Sequence, residues 1–286
     1  MILVTGATGN VGSEVVRRLA ALNVPVRALT RSLEKTEPIG SVEWVEGDFT
    51  DADSLAKAVQ GVEKVVLISP AHADMVAHQL AVLDAAVKAG VKHIVKLSGL
   101  GAGPDAPIRL PRNHYQIENQ LKESGIAYTF VRPNLFMQVL IGSASSIESD
   151  GAIYAPAGDG AISFTDVRDI AATIVTTLTE AGHENQAYEI TGPAALTYAQ
   201  AAAVIGATIG KPVKYVGVDE ESARNAMTSG GLDSWLVEAF LELFGIYRAG
   251  YGAAVLSDTV AKVTGRPAHD FSDFANAHRA YFAPAA

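Results

Sequence analysis

Apolar residues along the first half of this chain follow two alternating periods. Short continuous runs, at residues 2–4, 24–30, 42–45, 65–69, 93–97 and 128–132, have the length and β-branched content of buried strands. Pro25 stands near the start of its run, where a strand tolerates it, and Pro133 stops the last one. Between the runs, apolar residues recur every three or four positions. Val11, Val15, Val16 and Leu19 share one helical face, with Glu14, Arg17 and Arg18 on another. A second helix runs from a cap at Asp51 or Asp53 to about Gln60, with Gly61 as its stop. A third spans residues 74–89 through Met75, Val76, Leu80, Leu83 and Val87, stopped by Gly90. A loop rich in glycine and proline, 99–112, precedes a fourth, capped by Asn113 and ended by Gly125. Strand and helix in this alternation predict a doubly wound parallel sheet with helices on both faces.

Past Ser143 the rhythm changes. A strand with turns is expected over 151–160, a helix over 166–180 and a strand over 187–191. Thr197, with Gln200 three residues on, predicts a capping box opening a helix to about Ile209. A strand at 213–218 follows, then helices at 220–227, 234–244, 258–263 and 271–281. The expected division is a larger domain over 1–143 and a smaller, helix-rich α+β domain over 144–286, with strands of the second half free to rejoin the first sheet.

The turn after the first run carries the clearest chemistry. Residues 5–12 read Thr5-Gly6-Ala7-Thr8-Gly9-Asn10-Val11-Gly12, placed between a strand and a helix. In that context the first glycine permits the tight turn, the second lets a pyrophosphate approach the backbone, and the third lets helix pack on strand. A dinucleotide site is the expectation. A site for NAD places Asp or Glu at the end of the second strand; here Thr30-Arg31-Ser32 stands there, with no carboxylate before Glu34. The Arg31 guanidinium suits a 2′-phosphate, so NADPH is expected over NADH. Asp48 and Phe49, after the third strand, are candidates for the adenine amino group and ring face; a helix-entry Asp and a core Phe are the competing roles.

Charge and composition narrow the field. A net charge of −9 disfavours nucleic acid and anionic membranes. With no cysteine, disulfides, thiolate metal sites, iron–sulfur clusters and thiol redox chemistry are excluded in this chain. The histidines show no metal-ligand spacing; His72, Asp74 and His78 come nearest, at a loop-to-helix junction expected to be solvated. No apolar stretch has membrane-spanning length, and the first strand begins at Ile2, so the expectation is a cytoplasmic protein without a leader.

Taken together, the motif at residues 5–12 resembles the opening of extended and atypical short-chain dehydrogenases/reductases. Arg31, Gly47-Asp48, Ile68-Ser69, Ala89-Gly90-Val91-Lys92, His114 with Glu118, and residues 125–134 resemble the NmrA-like branch. So do Asp166-Val167-Arg168-Asp169-Ile170-Ala171, Tyr188-Glu189-Ile190-Thr191-Gly192 and Val263-Thr264-Gly265-Arg266. The likeness spans nearly the whole chain, and within the family it is nearest in kind to NAD(P)H:quinone oxidoreductases of type 2 and triphenylmethane reductases. It implies a Rossmann-type fold and NADP(H) as cofactor, without flavin or metal.

Short-chain dehydrogenases use a Ser and a Tyr-x-x-x-Lys pair, in which the Tyr hands a proton to the substrate oxygen. Ser98 matches the Ser place. With His114 in the Lys place, the Tyr place is Leu110, and Tyr115 points about 100° away around the helix. Losing the phenol favours acceptors that need little acid: quinones, cationic triphenylmethane dyes and azo compounds. His114 is expected to bind the cofactor ribose or relay a proton, with Ser98 beside it. Ser69, Pro70 and Asn134 are further cofactor candidates. His72, Leu135, Phe136, Met137 and Tyr154 are candidate walls for a small aromatic or quinonoid substrate, with Phe164 a similar candidate; Phe136 and Met137 equally suit an interdomain core. Two roles stay open: a reductase, and a non-catalytic NADP(H) redox sensor acting on a protein partner. A homodimer is compatible with either.

Overall fold

The computed structural model describes residues 1–283. In chain order the elements are β1 (Ile2–Val4), α1 (Asn10–Ala21), β2 (Val26–Thr30), β3 (Glu43–Glu46), α2 (Ala52–Ala58), β4 (Lys64–Leu67), α3 (Met75–Ala89), β5 (His93–Leu97), α4 (Arg109–Glu123) and β6 (Ala127–Pro133). They continue with α5 (Ala144–Asp150), β7 (Ala152–Ala155), α6 (Val167–Thr179), β8 (Gln186–Ile190), α7 (Tyr198–Ile209), β9 (Lys214–Gly217), α8 (Glu220–Ser229) and α9 (Ser234–Arg248). The chain closes with α10 (Thr259–Thr264), α11 (Phe271–Ala277) and α12 (Arg279–Phe282).

Seven strands form one sheet in the order β3-β2-β1-β4-β5-β6-β8. Neighbours from β3 to β6 run parallel, as the alternation of strands and helices requires. Strand order reverses between β1 and β4, which is where open α/β sheets place their ligands. The fold is the Rossmann-type α/β architecture. Leu3, Leu29, Leu55, Val65, Leu67, Ile94, Leu121 and Phe130 are among the side chains of one continuous core. Each large aliphatic so buried contributes roughly 2 kcal/mol.

Two compact units share the chain: Met1–Pro133 with Val167–Glu189, and Asn134–Asp166 with Ile190–Ala286. A single cut after residue 143 therefore does not describe them. In the first unit α6 packs on α1, and Lys64 Nζ donates to the Leu178 carbonyl at 2.5 Å. The second unit has a parallel pair, β7 with β9, and its own core around Phe164, Tyr198, Phe271, Phe274 and Phe282. Among the described residues, no helix is long and apolar enough to cross a membrane.

Several boundaries differ from expectation for local reasons. The fourth helix starts at Arg109, one turn before Asn113, with Ile108 at its N-cap. Pro111 falls in the first turn, where its missing N–H costs no intrahelical bond. A 3-10 helix at Met137–Ser143 and α5 occupy a stretch without a clear apolar period. The helix expected over 271–281 breaks at His278 into α11 and α12. Asp51, rather than Asp53, caps α2, accepting from the Asp53 and Ser54 amides. The capping box at α7 is complete: Thr197 Oγ1 accepts from the Gln200 amide at 3.1 Å, and Gln200 Oε1 accepts from the Thr197 amide at 2.9 Å.

His93, at the start of β5, is 2% exposed. Thr129 donates its hydroxyl to the His183 carbonyl at 2.7 Å, so it accepts from His93 Nε2–H at 2.8 Å. Burial, reinforced by the Lys64 charge, lowers the His93 pKa to about 4. The unfolded chain therefore binds more protons than the native one between about pH 6.5 and pH 4, and stability is lost as pH falls through that window. The expected loss from this ring is about 3 kcal/mol. Urea unfolding of wild type and His93→Gln, compared at about pH 7.5 and about pH 4, checks it: the variant loses less by roughly that amount.

Candidate active site

Thr5 ties the end of β1 to β4. Its hydroxyl donates to the Ile68 carbonyl at 2.7 Å and accepts from the Ile68 amide at 2.8 Å. The chain then turns at Gly6, whose φ of +59° belongs to the left-handed region. Gly12 lies against that turn: a Cβ there would sit 2.1 Å from the Gly6 carbonyl oxygen. Gly9 occupies the N-cap of α1, and no side chain caps the helix or places an acid in its first turn. Thr8, Gly9 and Asn10 are exposed, whereas Ala7 and Val11 are buried. The first-turn amides and the positive end of the helix dipole are thus presented for an anion.

Arg31 follows β2, is exposed, and has no hydrogen bond or ion pair with a described residue. Thr30 does not share that freedom, because its buried hydroxyl donates to the Ser32 carbonyl at 3.1 Å and accepts from the Ser32 amide at 3.2 Å. Asp48, after β3, accepts from Thr50 through its hydroxyl at 2.6 Å and its amide at 2.8 Å. These bonds hold its carboxyl below the usual range, helped by the nearby Arg31 and His78. Phe49 is half-buried, with its ring 5.9 Å from His78, which in turn stacks on His72 at 5.7 Å. The structure therefore brings Phe49 and His72 into one row of rings with His78 between them. Ser69, after β4, accepts from Gln79 Nε2 at 2.8 Å and donates to the Pro70 carbonyl at 3.2 Å.

After β5 the polar groups become buried. Lys96 and Ser98, two apart on the strand, face His114 and Glu118, four apart on α4, as the two periods dictate. Ser98 Oγ donates to Glu118 Oε1 at 2.6 Å. Arg132, from β6, closes a two-pronged pair with the same carboxylate at 2.9 Å and 2.5 Å. Glu118 is fully buried, and its bonding holds the Arg132 guanidinium above its ordinary value. Lys96 is fully buried and donates from Nζ to His114 Nδ1 at 2.9 Å and to the Leu97 carbonyl at 3.0 Å. Burial lowers the Lys96 pKa to about 7, with Glu118 opposing the shift and Arg132 aiding it. Burial also holds His114 well below its ordinary value, helped by the charges of Lys96 and Arg132, so the ring is neutral. With Nδ1 accepting, Nε2 carries the proton. Gly99 leaves room along that edge of the ring: a Cβ on it would lie 3.0 Å from Cδ2 and 3.4 Å from Nε2. Leu110, one turn earlier on α4, offers no acid.

Lys96 and Arg132 escaped the sequence reading. The signal for Lys96 was a single cation inside the apolar run His93-Ile94-Val95-Lys96-Leu97 of a central strand.

The remaining candidates belong to the second unit. Asn134 is buried, with its amide nitrogen donating to Ser163 Oγ at 2.8 Å and the Ala253 carbonyl at 2.9 Å, and its oxygen accepting from the Leu135 amide at 2.8 Å. Met137 and Phe164 are in the core of that unit, and Leu135 packs partly buried on it. Phe136 is half-buried and bridges to Thr165. Tyr154 is 46% exposed and donates to Asp150 Oδ2 at 3.2 Å.

A family model described as the NmrA-like family matches residues 1–263. The chain is 45% identical to an NAD(P)H azoreductase of Xenophilus azovorans over the full length of both proteins, 100% of each. A crystal structure of an NADPH-dependent quinone oxidoreductase from Escherichia coli, complexed with NADPH, superposes with a TM-score of 0.86 at 32% identity, covering 97% of this chain and 99% of that one. The triphenylmethane reductase of Citrobacter sp., complexed with NADP(H), gives 0.84 at 29% identity over 97% and 99% of the two chains.

Removing Arg132 strands the Glu118 carboxylate without its cation. Arg132→Met is expected to cost about 3 kcal/mol or more in urea unfolding near neutral pH. Adding Glu118→Gln restores part of that loss, and the double-mutant cycle reads the coupling.

Proposed function

The chain belongs to the NmrA-like family, and from that premise we propose that it is a flavin-free, NADPH-dependent reductase of quinones and related conjugated electrophiles, azo and triphenylmethane dyes included. Its whole-length likeness to an azoreductase supports the reaction class. The observation that carries the substrate class is chemical: Leu110 stands where a phenolic acid would serve ketones, and His114, one turn on in the lysine's place, offers a neutral imidazole instead.

The first unit's residues fit the cofactor. Loop 6–12 would take the pyrophosphate on the α1 amides, where a side chain at Gly9 or Gly12 would crowd the backbone. Arg31, exposed beyond β2, would take the 2′-phosphate, and Asp48 and Phe49 the adenine. Ser69 and Pro70 would line the far side of the loop, and His114 and Ser98 the nicotinamide end. Asn134 is omitted, because its amide is already engaged on both sides. When bound, NADPH supplies the hydride. The chain positions the acceptor and supplies a proton from His114 Nε2 where the acceptor needs one. Leu135, Phe136 and Tyr154, of the second unit, remain the proposed contacts for a flat apolar substrate; Met137 is in that unit's core.

Nicotinamide absorbance, followed with NADPH and NADH against a benzoquinone, a naphthoquinone, a cationic triphenylmethane dye, an azo dye and a simple ketone, tests the reading. Turnover of quinone or dye without ketone is expected. Tight binding of both cofactor forms with no turnover would instead indicate a redox sensor. Arg31→Ala is expected to weaken NADPH by roughly 2 kcal/mol, on the order of 30-fold, while leaving NADH nearly unaffected. Equal affinities for both cofactors, before and after the change, would overturn the 2′-phosphate assignment.

A further inference from the structure

Lys96 is a buried cation that the scheme above does not use. It lies in the middle of a central strand, with no exposed surface, and two of its described contacts are the Leu97 carbonyl and the Nδ1 atom of a neutral imidazole. Its carboxylate neighbour, Glu118 on α4, is already bound by Ser98 and by both prongs of Arg132 from β6. A structural lysine would be expected to claim that carboxylate. This one is directed at the ring instead.

The chemistry of a neutral imidazole says what such a contact is for. His114 cannot release its Nε2 proton alone without becoming an imidazolate, a species far too basic to form near neutral pH. It releases that proton readily if Nδ1 gains one in the same event. Lys96 Nζ, 2.9 Å away, is the group placed to give it.

Resting on the reductase reading, we propose that Lys96 is the positioning residue that holds His114 with Nε2 protonated, and that it replaces the departing proton at Nδ1. The balance is simple. The acceptor gains a hydride, with its two electrons, as the nicotinamide is oxidised. The anion so formed, a hydroquinone oxygen or the second nitrogen of an azo group, takes the proton from Nε2. Nδ1 takes one from Lys96, which ends as a neutral amine, while His114 ends neutral in its other tautomer. Solvent restores the ammonium before the next turnover. A cationic triphenylmethane dye becomes neutral on hydride addition alone and calls on none of this. Burial brings Lys96 to about 7, which makes the neutral amine accessible. The charged groups facing it are Glu118, which favours the ammonium, and Arg132, which disfavours it.

The test compares wild type, Lys96→Met and Lys96→Arg. Nitrogen NMR of histidine-labelled protein without cofactor reads the His114 tautomer directly. Wild type is expected to show Nε2–H with an acceptor Nδ1. Lys96→Met should show mixed tautomers and a ring that protonates at higher pH, while Lys96→Arg should keep the wild-type tautomer, because a guanidinium donates but does not give up its proton. In turnover, both variants should lower the ratio of azo to cationic-dye reduction on the order of 30-fold. The wild-type enzyme alone gives a second reading: azo reduction should show a solvent deuterium effect with two protons in flight, and cationic-dye reduction none. An unchanged His114 tautomer and titration in Lys96→Met, or an azo rate indifferent to deuterium, would overturn the proposal. If the wild type turns over neither dye, the reductase reading fails, and the NMR result still decides whether Lys96 sets the tautomer.

Discussion

The first unit depends on one close approach. The Cα of Gly12 lies so near the Gly6 carbonyl that no other side chain fits between them. That contact seats α1 against the end of β1 and aims its unsatisfied amides at the reversal of strand order. Thr5 then locks the same turn to β4 through two hydrogen bonds with Ile68. Because α6 packs on α1, the return of the chain into this unit builds on the same helix. A larger residue at position 12 would move the helix, and with it the anion site and the packing behind it.

A second constraint is electrostatic. Between β5, β6 and α4 the protein buries a lysine, a glutamate and a serine, with a histidine and an arginine partly covered. Buried charge is costly unless it is paired and hydrogen-bonded. Glu118 meets that condition with three strong donors. Lys96 does not, having a carbonyl and an uncharged ring. The asymmetry explains why the Arg132 guanidinium is held above its ordinary value while Lys96 is driven down to about 7. Local departures of this kind, a stabilised pair beside an under-stabilised cation, are where chemistry is expected to outweigh stability.

What could be read from the sequence follows from range. The strands of the first half, the glycine turn and the Thr197 capping box are local patterns, and each is present in the structure. The start of α4 was misplaced because Pro111 reads as loop until its first-turn position is known. The return of a second-half strand to the first sheet was foreseen, but where the units divide was not, because it depends on β8 settling beside β6, a long-range pairing of a strand most of whose residues are exposed. Met137 and Phe164 were legible as apolar and large, but not as members of the second unit's own core. Lys96 was invisible for a subtler reason: a continuous apolar run identifies a buried strand and so draws attention away from the one residue that breaks it.

A parallel sheet turns chain order into spatial order, and this gives the candidate site its logic. All the strands from β3 to β6 end on the same edge, so the segments that follow them stand in a row set by the strand order. Along that edge come Asp48 and Phe49 after β3, Arg31 after β2, the glycine turn after β1, Ser69 after β4, and Ser98 with the Lys96–His114 pair at β5. At about 4.8 Å between neighbours, the row from β3 to β5 extends roughly 19 Å. Its chemistry changes along the way from an aromatic ring and acid, to an exposed cation, to bare amides, to a polar segment, to a proton-carrying imidazole. That is the sequence of demands made by a dinucleotide laid across the sheet: base, phosphorylated ribose, pyrophosphate and reactive ring. No one of these groups would specify a ligand; it is their order that supports the proposed cofactor, because a binding site for a simple anion would need only the amides, and a metal-independent acid site would need only the imidazole.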